Sequence, residues 1–63
     1  MGHTIRRSRW RVTLELPNGE LLSELVLAEN SGEALRRAVD EYRMRTGLVA
    51  RPISATLESV GHR

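Results

Sequence analysis

Between positions 9 and 16 apolar and polar residues alternate without a fault. Trp10, Val12, Leu14 and Leu16 fall on one side, and Arg9, Arg11, Thr13 and Glu15 on the other. Successive side chains of an extended chain point to opposite faces, so the pattern predicts a strand with one face in a core and one in water. Pro17-Asn18-Gly19 follows. Proline presets the backbone angle that opens a turn, and Asn-Gly accepts the positive φ that closing a hairpin demands. A second strand is expected over 20–28, and both of its faces are apolar. Leu21, Leu25 and Leu27 share one face with Ser23; Leu22, Val26 and Ala28 share the other with Glu24. The pattern alone leaves open which row is buried.

The period then changes. Asn30 or Ser31 caps a helix, with Glu33 three residues after Asn30 as a capping box requires. Ala34, Leu35, Ala38, Val39 and Tyr42 form an apolar stripe at helical spacing, and Gly47, directly after Thr46, supplies a left-handed stop. On the outer side Glu33 and Arg37, Arg36 and Asp40, Arg37 and Glu41, and Glu41 and Arg45 stand four apart, so the helix offers its arginines carboxylates of its own. Pro52 opens a last strand in which Ile53, Ala55 and Leu57 alternate with Ser54, Thr56 and Glu58.

These elements predict an α+β domain with ββαβ order. The helix must lie across one face of the sheet, and a right-handed crossover then places the third strand beside the first. The result is a three-stranded antiparallel sheet of order 2-1-3 with one helix packed on one face. Residues 1–8 are expected as a flexible basic arm, 9–60 as the single domain, and 61–63 as a frayed end.

Length sharpens the picture. A chain of 63 residues buries only about 60% of its unfolded surface, and such domains usually draw extra stability from disulfides, a metal or self-association. There is no cysteine, which removes disulfides and thiolate metal sites and leaves self-association. Catalytic chemistry has little to stand on. His3 and His62 sit at opposite ends without acidic neighbours, no glycine-rich phosphate loop occurs, and no carboxylates recur at dyad or metal spacing. Met1-Gly2-His3 would chelate copper only with the initiator methionine retained. The expectation is a non-enzymatic protein with no cofactor, no metal and no small-molecule substrate.

Charge offers one further candidate. Lysine is absent, so all ten basic side chains are arginines, and the pI is about 10.4 although the net charge is only +2. Arg6, Arg7, Arg9 and Arg11 all precede the first acid, Glu15. A basic arm of this kind contacts nucleic-acid phosphates in many proteins. The competing expectation uses the face of the sheet that the helix leaves uncovered. Arg9, Arg11, Thr13 and Glu15 lie there, and Leu22, Glu24 and Val26 are the companions assigned to them from the second strand. That set is the candidate interface of a homodimer acting through contacts with a further, unidentified protein. The sequence contains no apolar run of membrane-spanning length and no apolar leader core at its start, so a soluble cytoplasmic protein is expected.

Overall fold

The computed structural model describes residues 7–59. The chain order is β1 (Ser8–Glu15), β2 (Leu21–Ala28), α1 (Ser31–Thr46) and β3 (Arg51–Ser59). The strands form one sheet of order β2-β1-β3, antiparallel at both seams, so the most regularly alternating strand is central. α1 packs against all three strands. This is the α+β arrangement that the sequence predicts. Strand ends differ from the expected ones by a residue: Ser8, expected in the arm, pairs with Ala28 as the first residue of β1. Residues 1–6 and 60–63, including Arg6, both histidines and Val60, lie outside the described residues.

The hairpin loop decides what each strand buries. The Leu16 amide donates to the Glu20 carbonyl, and the Gly19 amide donates back to the Leu16 carbonyl, both at 2.8 Å. Gly19 has φ +90°, the left-handed value that glycine adopts without a side-chain clash. Asn18 fixes the loop by accepting the Glu20 amide through Oδ1 at 3.0 Å. Three residues therefore separate the paired Leu16 and Glu20, a type I turn followed by a glycine bulge. Counting back from that pair sets even numbers opposite even numbers: Leu14 faces Leu22, Val12 faces Glu24, and Trp10 faces Val26.

The core follows from this register. Val12, Leu14, Val26 and Ala28 of the sheet meet Ala34, Ala38 and Tyr42 of α1 and Ala50 of the α1–β3 connection. Four of these eight residues are alanines, and Leu14 and Val12 are the largest fully buried side chains. Trp10 is half-buried beside them and donates its indole N–H to the Ala28 carbonyl at 3.0 Å. The core is therefore thin, as the chain length implies.

α1 is closed at both ends as expected. Asn30 Oδ1 accepts the Glu33 amide at 2.8 Å, while Glu33 Oε1 reaches back to accept the Glu29 amide at 2.7 Å. Gly47 takes φ +77° and donates its amide to the Arg43 carbonyl at 2.7 Å. Of the four anticipated ion pairs along the helix, only Glu33–Arg37 forms among the described residues, at 3.4 Å. Arg45 turns instead to Glu24 of β2, at 3.6 Å.

β3 departs from simple alternation. Its pairing with β1 shifts twice, between Thr13 and Leu14 and between Arg9 and Trp10, which leaves Ile53 and Glu58 as extra residues. Pro52, Ala55 and Leu57 therefore oppose Leu14, Val12 and Trp10. Ile53, expected in register with Ala55 and Leu57, drops out of that row and stays exposed.

Candidate functional site

The face of the sheet away from α1 is built from three columns. β1 supplies Arg9, Arg11, Thr13 and Glu15, as the sequence predicts. β3 adds Arg51, Ser54, Thr56 and Ser59, which stand opposite Glu15, Thr13, Arg11 and Arg9. β2 adds Leu21, Ser23, Leu25 and Leu27, opposite the same four β1 residues.

The second-strand companions assigned from sequence require correction. Leu22, Glu24 and Val26 lie on the face covered by α1, and Val26 is only 6% exposed. The reason is the loop. Three intervening residues pair position 24 with 12, whereas a two-residue Asn-Gly loop would pair 25 with 12 and reverse the faces. The aliphatic row on the open face is Leu21, Leu25 and Leu27, exposed at 68%, 49% and 54%.

Three contacts tie β1 to its neighbours on this face. Arg11 grips the bulged Glu58 with two bonds, Nε to Oε1 at 3.1 Å and Nη2 to Oε2 at 3.2 Å. Those bonds, reinforced by the guanidinium charge, hold the Glu58 carboxyl below its ordinary value, and the same contact raises Arg11. Thr13 and Ser23 share a hydroxyl contact at 3.4 Å, and Arg51 stands 3.8 Å from Glu15. The leucine column has no such partner. Leu25 and Leu27 are next neighbours on this face, and Leu21 lies beyond Ser23.

Of the arginines assigned to phosphate binding, Arg9 and Arg11 are neighbours on the open face. Arg6 lies outside the described residues. Arg11 is bound by Glu58, Arg9 helps to lower the same carboxyl, and Arg7 acts in the same sense on Glu33, behind the Glu29 amide and Arg37. Each described member of the set thus has a carboxylate within electrostatic reach.

The backbone completes the site. Antiparallel pairs alternate between those that exchange both hydrogen bonds and those that exchange none. Leu16 and Glu20 are a bonded pair, so the even-numbered β2 residues spend their amides and carbonyls on β1. The odd-numbered ones, Leu21, Ser23, Leu25 and Leu27, direct theirs to the outer edge. The leucines that face open solvent thus belong to the residues whose backbone groups are unpaired within the sheet.

Elsewhere, an open depression at the start of α1 is lined by Glu29, Asn30, Gly32, Glu33 and Arg36. Among the described residues no three His, Asp or Glu side chains gather as metal ligands would, and no helix is long and apolar enough to cross a membrane. No protein-family model matches the chain, and neither the curated proteins nor the solved structures offer a match to it.

Proposed function

We propose that this chain is a small non-enzymatic binding module that self-associates through its sheet and acts by protein–protein contacts. The observation that carries the reading is the column of Leu21, Leu25 and Leu27, exposed along the open face at the unpaired edge of β2. Core size supports it. Eight large apolar side chains are exposed among the described residues, while Val12, Leu14, Val26 and Tyr42 are the large ones inside. A second chain supplies the apolar burial that one chain lacks.

The test is a pair of charge insertions on opposite faces, followed by sedimentation equilibrium and circular dichroism. Leu25→Arg is expected to keep the native spectrum and yield a monomer. Leu22→Arg, on the α1 side, is expected to lose the fold. A wild-type chain that remains monomeric in the tens of micromolar overturns the reading.

A further inference from the structure

The mode of association can be argued from the distribution of charge, the state of the two sheet edges and the register. On the open face the central column is Arg9, Arg11, Thr13 and Glu15, and the β3 column is equally polar. Stacking two such faces would take Arg9 and the Arg11–Glu58 pair out of water, a desolvation cost that ion pairing seldom recovers. The aliphatic column stands at one margin only. An arrangement that sets the leucines of two copies alongside one another and leaves the charged columns wet joins two sheets side by side.

The two edges are not equivalent. On β3 the outward-directed positions are those opposite the even residues of β1, namely Pro52, Ala55 and Leu57. Proline has no amide to donate, and the extra residues at Ile53 and Glu58 break the regular spacing of the rest; both devices blunt an edge strand. β2 carries no proline and pairs with β1 without a shift from Ser8–Ala28 to Glu15–Leu21. Its edge is straight and fully furnished with donors and acceptors.

Register then follows from one residue. Antiparallel pairing of β2 with another copy requires a two-fold axis normal to the sheet, which keeps like faces together and places the axis at a residue. Two centres use nearly the whole strand. Centring on Glu24 sets two carboxylates directly opposite each other, which is destabilising. Centring on Leu25 sets Leu25 against its copy, Leu27 against Ser23, Leu22 against Ala28, and Glu24 against Val26. Leu27 and Leu22 then each meet a smaller neighbour, Ser23 and Ala28, and no two carboxylates stand opposite each other. The helices also fit. Strands spaced about 4.8 Å apart place the two central strands roughly 14 Å apart, and packed helices need only about 8–10 Å.

We infer that two copies of this chain join through antiparallel β2–β2 pairing centred on Leu25, forming a continuous six-stranded sheet with both helices on one face. The inference rests on the self-association proposed above and adds its geometry.

Because the chain has no cysteine, single cysteines report the geometry cleanly in the 63-residue chain. Directly opposed bonded residues lie about 5.5 Å apart between Cα atoms, within disulfide reach, whereas a four-residue offset along the strand adds roughly 13 Å. In a glutathione redox buffer, Leu25→Cys is expected to form a disulfide dimer. Ser23→Cys and Leu27→Cys are each expected to stay uncrosslinked alone and to crosslink when mixed. Efficient crosslinking of Ser23→Cys or Leu27→Cys alone overturns the register. A sedimenting dimer that crosslinks through Thr13→Cys, at the middle of the open face, but not through position 25 overturns edge pairing while self-association stands. A monomer by sedimentation with no crosslink at any of these positions removes both.

Discussion

Glu24 gives the sharpest quantitative prediction. It lies on the covered face opposite Val12, its side chain is only 20% exposed, and Oε2 has no hydrogen-bond partner. Its nearest cation is Arg45 at 3.6 Å, itself 57% exposed. Such a pair contributes at most about 1 kcal/mol, because solvent screens it and two long side chains must be ordered to hold it. Leucine at this position would bury about four-fifths of a side chain whose full burial is worth roughly 1.5–3 kcal/mol. It also removes an unsatisfied oxygen, at a further benefit of about 1 kcal/mol. After loss of the Arg45 contact, Glu24→Leu is expected to stabilise the domain by about 1–2 kcal/mol. For a domain of this size that raises Tm by roughly 4–8 °C per kcal/mol. The assay is thermal unfolding by circular dichroism at pH 7, with Glu24→Gln as the control for charge alone and with chain concentration held fixed, since association shifts Tm. A Tm equal to or below that of the wild type refutes the reasoning and means that the Arg45 pair outweighs the burial it prevents. In the edge-paired dimer the same carboxylate excludes the register centred on position 24, so the crosslinking pattern of Glu24→Leu is expected to broaden.

Three further outcomes follow from local contacts. Asn30→Ala deletes the acceptor of the Glu33 amide and is expected to cost about 1 kcal/mol, read as a lower midpoint in urea with an unchanged m-value. Acid titration probes two carboxyls. Glu33, through the Glu29 amide and then Arg37, and Glu58, through Arg11, both have folded pKa values below the ordinary 4.5. Their stabilising contributions are therefore complete above about pH 4.5 and are lost as pH falls through the lower folded values; the double variant Glu33→Gln, Glu58→Gln should flatten that limb of the stability profile. Finally, four phosphate contacts by Arg6, Arg7, Arg9 and Arg11 would give a log–log salt slope of about −3.6 on duplex DNA. Because Glu58 already holds Arg11, we expect a slope shallower than this by fluorescence anisotropy.

The sequence carried most of the architecture and half of the candidate site. The alternation through Leu14 fixed the central strand and its polar column, and Asn30, Glu33 and Gly47 announced the helix ends with the residues that close them. The second face of β2 was not legible from hydrophobicity, because Leu21, Leu25 and Leu27 balance Leu22, Val26 and Ala28. Its choice rested on whether Pro17-Asn18-Gly19 forms a three-residue or a two-residue loop, a local difference that reverses every side chain of the strand. Proline at the first turn position and glycine at the left-handed one favour the three-residue form, so the signal was present in the turn. The bulges at Ile53 and Glu58 left no such trace. They arise from the meeting of β1 and β3, and Glu58 gains its role only through Arg11, 47 positions away. Ala50, nearly inaccessible in a connection between elements, likewise owes its burial to the docking of α1 and not to any periodicity.

In the edge-paired dimer proposed above, the irregularity of β3 would set the valence of assembly. A three-stranded sheet with two equally receptive margins can add copies indefinitely, and such growth shows a lag, seeding and an insoluble end product. Here the far margin lacks a donor at Pro52 and a regular repeat at Ile53 and Glu58. Under edge pairing each chain would therefore be joined once. Concentration dependence should follow a single saturating monomer–dimer isotherm, indifferent to seeds, and the joined sheet ends on both sides in strands that accept no successor.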